Sequence, residues 1–139
     1  MHRKHYKKPP RRSATTVNSK ARSMQAAWRQ ATGRTGTLTI QDAKEIIAQP
    51  PTCPYCDKPI PWNQLSIDHI QPKSRDGANT PDNLVFCCHS CNQMKGDMTA
   101  DEYKALLGFL SGWPKMKESI LLRLRIAGAV FGRRRRWKR

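Results

Sequence analysis

The sequence predicts a small α+β domain whose core is stabilised by a four-cysteine zinc site and flanked by helices and basic tails. Two Cys-x2-Cys pairs, Cys53 with Cys56 and Cys88 with Cys91, predict the zinc site. Two short apolar runs typical of strands lie between the pairs, and apolar residues at helical spacing occur on either side. With 139 residues, of which 37% are hydrophobic, the chain can form one small core.

The helices are predicted from apolar spacing and from residues that cap helix ends. Thr39 and Thr99 are each followed three residues later by an acidic residue, which is the spacing of a capping box. Proline or glycine follows each apolar segment and predicts where the helix ends, the last one at Gly132. Residues 1–20 are polar and basic, and we expect them to be mobile. The predicted helices are Ser23–Ala31, Thr39–Ala48, Thr99–Leu110 and Lys115–Phe131.

The segment between the cysteine pairs predicts a strand, a loop, a second strand and a helix. Asp68 and His69 are adjacent near the end of the first strand. Neighbouring side chains on a regular strand face opposite sides, so the strand must end or distort there if both residues serve one site. Pro72 makes such an ending plausible. The predicted elements are a strand at 65–70, a turn-rich loop at 71–82, a strand at 84–86 and the start of a helix at 91–95.

The charge is concentrated in two arms. Lys and Arg total 26 against 10 Asp and Glu, which gives a net charge of +16. Residues 1–34 contain ten basic and no acidic side chains, and residues 115–139 contain ten basic and one acidic. Basic arms bind polyanions with an affinity that is independent of sequence and weakened by salt. The charge therefore predicts a nucleic-acid partner, with a solvated tail or a localisation signal as the alternative for the N-terminal run.

The sequence also bears on the compartment. No apolar stretch approaches the ~18 residues needed to span a bilayer, so no membrane partner is expected. The basic N-terminus lacks the apolar segment of a secretory signal, and we expect a cytoplasmic protein, at the nucleoid or in a phage-infected host cytoplasm. A mitochondrial transit peptide is an alternative for residues 1–34, but Pro9 and Pro10 would interrupt the helix it requires.

The cysteine spacing favours zinc over disulfides. Two thiolates three residues apart converge in a tight turn, and two such turns complete a tetrahedral sulfur shell. A disulfide scaffold requires an oxidising compartment, and the five cysteines are odd in number. Cys87 and His89 leave the second half of the site ambiguous, since either could replace a ligand. Cys88 repeats the spacing of the first pair and is the predicted ligand.

These elements together resemble the HNH endonuclease family in its zinc-bound four-cysteine form. The resemblance rests on Asp68-His69-Ile70-x-Pro72, Gly77-x-Asn79-x3-Asn83-Leu84 and Cys88-x2-Cys91-Asn92-x2-Lys95, which occur in order after the first cysteine pair. It covers about residues 50–105. It implies a ββα-metal, treble-clef-like core within an HNH nuclease domain at 35–112. A basic N-terminal arm with a short helix at 1–34 and a C-terminal helix with a basic tail at 113–139 complete the chain.

The resemblance also implies roles for individual residues. His69 would be the general base that takes a proton from the attacking water. Asp68 and Asn92 would hold the catalytic divalent cation, and Asn83 would bond within the loop and orient His69. Oxygen ligands from Asp68 and Asn92 suit Mg²⁺ or Mn²⁺. The residues proposed to contact nucleic acid are Arg75, Lys95, Arg133, Arg134, Arg135 and Arg136.

Two functions are compatible with these features. The first is a metal-dependent DNA endonuclease or nickase, acting as a monomer or weak homodimer. The second is a non-catalytic zinc module that binds nucleic acid. Only the first accounts for Asp68 and His69 together with Asn92. Among proteins of this size, the resemblance also suggests a phage-encoded or homing enzyme.

Overall fold

The computed structural model describes the backbone of residues 16–137 and the side chains of residues 16–128. Predictions for residues 1–15 and 138–139 lie outside the described residues. Three short 3₁₀ turns connect the main elements, at Trp62–Gln64, Lys73–Arg75 and Pro81–Asn83. The main elements are α1 (Val17–Ala31), α2 (Ile40–Ala48), β1 (Leu65–His69), β2 (Leu84–Cys88), α3 (His89–Lys95), α4 (Ala100–Leu110) and α5 (Pro114–Trp137).

A two-stranded antiparallel hairpin lies at the centre of the described chain. Leu65 pairs with Cys88 at one end of the hairpin, and His69 pairs with Leu84 at the other. Helix α3 follows β2 directly, because Cys88 is both the last strand residue and the helix N-cap. The result is a mixed fold of helices and one small sheet in which strand, strand and helix follow in sequence, as predicted for a ββα core.

Two hydrophobic clusters hold the hairpin in place. The first surrounds the cysteines and includes the fully buried Ile60 and Tyr103. The second lies between α1 and α2, where Ala21, Met24 and Ala43 are buried. Each cluster contacts the hairpin through Leu65, which is partly buried against both. The hairpin is therefore fixed by the cluster around the cysteines on one side and by the N-terminal helices on the other.

The helix caps agree with the sequence. Thr39 and Asp42 form a complete capping box at the start of α2, and Thr99 and Glu102 form another at the start of α4. In each box the hydroxyl accepts from one backbone N–H and the carboxylate accepts from another. Both predicted capping boxes are confirmed.

Two helix boundaries differ from the sequence prediction. Helix α1 begins at Val17, six residues before the predicted Ser23, because the Thr16 side chain accepts from the Ser19 N–H and caps it. Residues 17–20, expected to be mobile, are therefore helical. Helix α5 continues past Gly132 to Trp137. A glycine inside a helix costs only about 1 kcal/mol relative to alanine, so it ends a helix only when the following backbone also departs.

The long α5 packs against α3, and a glycine permits the close approach. A Cβ atom at Gly128 would lie 2.1 Å from the backbone oxygen of Gln93. Helix α5 is thereby anchored to the helix that carries half of the cysteine cluster. Among residues 16–137, no helix is both long enough and apolar enough to cross a membrane.

Candidate active site and zinc centre

Four cysteine side chains converge on one point. The Sγ atoms of Cys53, Cys56, Cys88 and Cys91 all lie within 4.8 Å of one another. The first pair is carried by a tight turn in which the Cys53 N–H donates to Lys58 and the Asp57 N–H donates back to Cys53. The second pair begins α3, where the Cys91 N–H donates to the Cys88 sulfur.

The cluster has the composition and spacing of a zinc site. The Cys56 and Cys88 sulfurs are 3.9 Å apart, well beyond the ~2.05 Å of a disulfide bond. Burial, followed by the neighbouring Cys88 thiol, raises the pKa of Cys91. Four sulfurs at this separation are held as thiolates only if a cation offsets their charge, and Zn²⁺ prefers this donor set.

The surroundings of the cluster fit a metal-bound thiolate. The Tyr103 hydroxyl is buried beside Cys91. An outer hydroxyl of this kind is a natural donor to a metal-bound sulfur. Cys87 lies outside the four-sulfur group and pairs with Ser66 across the hairpin, so Cys88 rather than Cys87 or His89 completes the cluster. Among the described residues, the four sulfurs that converge are those of the two Cys-x2-Cys pairs.

Asp68 is held from both sides by buried partners. It is only 5% exposed. The Tyr55 hydroxyl donates to Oδ2 over 2.6 Å, and the Lys95 ammonium donates to Oδ1 over 3.1 Å. Lys95 also donates to the backbone oxygen of His69 over 2.8 Å. An ionised carboxylate offers about four lone-pair positions, so each Asp68 oxygen retains one for a cation.

His69 is the last residue of β1, and its ring contacts the loop rather than the core. Nε2 lies 2.9 Å from the amide oxygen of Asn79. An amide oxygen can only accept, so the neutral imidazole carries its proton on Nε2. Nδ1 is then the nitrogen that can receive a proton. Asp68 and His69 are both paired residues of β1, and the strand ends directly after His69.

The loop between the strands is closed by Asn83. Its amide nitrogen donates to the backbone oxygens of Gln71 and Ala78, and its Oδ1 accepts from the Gln71 N–H. Gly77 permits this tight geometry, since a Cβ there would lie 1.8 Å from the Gln71 oxygen. Asn83 thus bonds within the loop as expected, while the side chain that contacts the His69 ring is that of Asn79.

Asn92 lies on α3, facing the hairpin. Its Nδ2 donates to the Ser66 hydroxyl over 2.6 Å. This bond uses the amide nitrogen, so the amide oxygen can bind a hard cation, which prefers oxygen ligands. Asp68, His69 and Asn92 line one cavity of about 260 Å³. Residues 24 positions apart in the sequence are therefore brought to one site.

The residues expected to contact nucleic acid have different environments. Arg75 is partly exposed and bonds Glu102 over 2.6 Å. Lys95 is 1% exposed, and its ammonium is engaged by Asp68 and the His69 carbonyl, so its observed contacts differ from the expected surface contact with phosphate. Residues 133–136 belong to α5, and their side chains lie outside the described part.

Sequence reasoning did not single out Tyr55 or Asn79 as site residues. Tyr55 was visible only as a residue between two zinc ligands, and its contact with Asp68 spans 13 positions. Asn79 belongs to the motif loop, but nothing in its spacing distinguishes it from Asn83 as the partner of His69. Tyr55 could have been proposed from the sequence only as a hydroxyl donor for Asp68, once Asp68 had been predicted to be buried.

With the geometry established, comparison with known proteins identifies the central segment. Residues 53–98 match the HNH endonuclease family. This segment is an HNH domain. The HNH domain includes all four clustered cysteines, both strands and α3. Helices α1, α2 and α5 lie outside the matched residues.

The same segment has a curated relative. A CRISPR-associated endonuclease Cas9 from Corynebacterium diphtheriae is 48% identical over 46 residues. The alignment covers 32% of this chain and 4% of the relative, so the likeness concerns the HNH domain and not the rest of either protein.

Proposed function

We propose that this chain is a metal-dependent DNA endonuclease or nickase that hydrolyses phosphodiester bonds. The observation that carries the proposal is the shared cavity of Asp68, His69 and Asn92, which brings a proton acceptor and two oxygen ligands to one place. The HNH family match and the likeness to an endonuclease support the same reaction class.

In this proposal His69 is the general base. Its Nδ1 accepts a proton as the water oxygen bonds to phosphorus and the bond from phosphorus to the leaving 3′ oxygen breaks. A neutral imidazole nitrogen is suited to take up a proton near physiological pH. The bond from Nε2 to Asn79 fixes the tautomer and the orientation of the ring.

Asp68 and Asn92 are the proposed holders of the catalytic cation, Mg²⁺ or Mn²⁺. Such a cation neutralises charge that develops on the phosphate and on the leaving oxygen. Asp68 is suited to this because Tyr55 and Lys95 hold its carboxylate in one orientation. Asn92 supplies an oxygen without adding negative charge near the phosphate.

The division of the chain follows from the same proposal. Residues 35–112 form the nuclease domain, and the parts at 1–34 and 113–139 supply positive charge for DNA affinity. Zinc at the four cysteines is structural, and the protein acts in the cytoplasm as a monomer or weak homodimer. The residues proposed to contact DNA are Arg75, Arg133, Arg134, Arg135 and Arg136, with Lys95 reassigned to support Asp68.

The test is nicking of supercoiled plasmid by the full chain with Mg²⁺ or Mn²⁺. We expect His69→Ala to lower the rate by about 10²- to 10⁴-fold, the usual contribution of a general base. His89→Ala is the matched control, because His89 is exposed on α3 and lies outside both the cavity and the four-sulfur group. Both variants should keep the zinc content of the parent protein.

Two results would contradict the proposal. Absence of nicking by the parent protein with either metal, alongside retained DNA binding, would favour the non-catalytic zinc module. A nicking rate in His69→Ala equal to that of His89→Ala would show that another group takes the proton.

A further inference from the structure

A second cavity lies between α1 and the hairpin, next to the proposed reaction site. It has a volume of about 640 Å³. One wall is a single face of α1 that includes Ser23, Ala27 and Gln30, and the facing wall includes Trp62, Asn63 and Ser66. The helical residues are spaced so that they share one side of the helix.

This groove adjoins the reaction cavity. Ile67 and Lys73 line both spaces. Ser66, which lines the groove, also accepts the hydrogen bond of Asn92 from the reaction cavity. A strand whose phosphate lies at His69 therefore has the groove beside it.

The α1 wall is firmly placed by contacts of its own. Ala21 and Met24 are buried against α2, and the Trp28 ring packs on Phe86 with centroids 5.5 Å apart. These contacts fix α1 to β2, so the groove has two fixed sides. Helix α1 lies outside residues 53–98, which makes the groove a feature added to the HNH domain.

The lining is chemically suited to a nucleic-acid strand. Within residues 16–128, no acidic side chain lines the groove, and Lys73 lies where the groove adjoins the reaction cavity. Gln30 and Asn63 supply exposed amides that can bond to sugar, phosphate or base edges. Trp62 is partly exposed and offers an aromatic surface on which a base can stack.

We propose that this groove binds the segment of the cleaved DNA strand that flanks the scissile phosphate. The proposal rests on the proposed function for the identity of the strand. It gives α1 a specific role in substrate binding, whereas the positive charge of the N-terminal arm predicts only general affinity for nucleic acid. Because the groove contacts bound DNA and not the reacting atoms, its residues act on affinity rather than on the chemical step.

The test uses two adjacent alanines of α1. Ala26 and Ala27 are both exposed, but only Ala27 lines the groove. Charge is introduced at each position in turn, as Ala27→Glu and Ala27→Lys against Ala26→Glu and Ala26→Lys. The two Glu variants have the same net charge, so a difference in their DNA affinity must come from where the carboxylate lies, inside or outside the groove. Binding of a fluorescent DNA duplex and of its single strand is measured by anisotropy without added divalent metal, and plasmid nicking is measured separately.

We expect Ala27→Glu to weaken DNA binding by about tenfold relative to Ala26→Glu, since a carboxylate in the groove would face phosphate; tenfold corresponds to about 1.4 kcal/mol. Ala27→Lys should bind more tightly than Ala26→Lys. In nicking assays Ala27→Glu should raise KM and leave kcat within about twofold, as removal of uniform binding requires.

Equal dissociation constants for Ala26→Glu and Ala27→Glu would overturn the groove proposal while leaving His69-dependent nicking intact. A protein that binds DNA with the expected difference but never nicks it would retain the groove and refute the proposed function. A larger difference with RNA of the same sequence than with DNA would overturn the assignment of the occupant.

Discussion

Asp68 and His69 are neighbours on one strand, yet they are held in opposite ways. The Asp68 carboxylate is buried and bonded by two side chains, Tyr55 from the first cysteine turn and Lys95 from α3. The His69 ring is partly exposed and bonded to Asn79 of the loop. The carboxylate is thus held by residues next to the cysteine cluster, and the imidazole is held by the loop between the two strands.

This difference separates two requirements of the proposed reaction. A cation ligand must be oriented and shielded, while a base must be reachable by water and must exchange its proton. Removing the zinc cluster should therefore affect Asp68 and the fold first. Changes in the loop should affect His69 and leave the fold in place. The following experiments test that separation.

The largest effect is expected at the cysteine cluster. Cys88→Ala removes one ligand of a site whose zinc contributes an apparent ~10–16 kcal/mol in small zinc folds, so we expect loss of bound zinc and of cooperative unfolding. Cys87→Ala is the matched control, an adjacent cysteine that is buried but outside the cluster. Zinc content and thermal unfolding of both proteins are the measurements. Full zinc retention by Cys88→Ala, or equal losses in the two variants, would contradict the assigned ligand.

An intermediate effect is expected at Tyr55 and Tyr103, whose rings are in edge-to-face contact. Tyr55→Phe removes one hydrogen bond to the buried Asp68 carboxylate, and bonds to charged groups are worth about 1.5–3 kcal/mol. Burial and then Asp68 raise the pKa of Tyr55, so its hydroxyl remains a donor across the working pH range. The free energy of unfolding of zinc-loaded protein in urea should fall accordingly, and nicking should require more Mg²⁺.

Tyr103→Phe provides the control for this change. The two rings contact each other with centroids 5.2 Å apart, and the buried Tyr103 hydroxyl lies beside Cys91. Because this hydroxyl lies beside Cys91 and not beside Asp68, we expect Tyr103→Phe to leave the Mg²⁺ requirement of nicking unchanged, whatever its effect on the free energy of unfolding. If the two variants need the same Mg²⁺ concentration for nicking, the bond to Asp68 is not what Tyr55 contributes.

The smallest effect is expected in the loop. Asn79→Ala removes the acceptor for Nε2 of His69 and should lower kcat about tenfold, by loss of ring orientation, with a stability change near ~1 kcal/mol. Asn79→Asp keeps an acceptor oxygen and should recover most of the rate. Single-turnover nicking at saturating protein is the measurement. An Asp variant as slow as the Ala variant would show that hydrogen bonding to the ring is not the function of Asn79.

Local patterns in the sequence determined the framework of this protein. Cysteine spacing predicted the four-sulfur cluster, apolar runs predicted the hairpin, and threonines followed by acidic residues predicted two capping boxes. Each prediction uses residues a few positions apart, whose spacing is set by local backbone geometry. The meeting of the two cysteine pairs and of the two strands was decided by the tertiary structure. Order of the motifs then identified the HNH segment and placed Asp68 and His69 within it.

Only the tertiary structure decided which distant side chains meet. Lys95 reaches Asp68 across 27 positions, and Asn79 rather than Asn83 reaches His69. The groove beside α1 likewise forms between elements that share no local pattern. Such contacts depend on how elements pack in three dimensions, and side-chain distances of about 3 Å between remote residues are not encoded in the periodicity or caps of either segment.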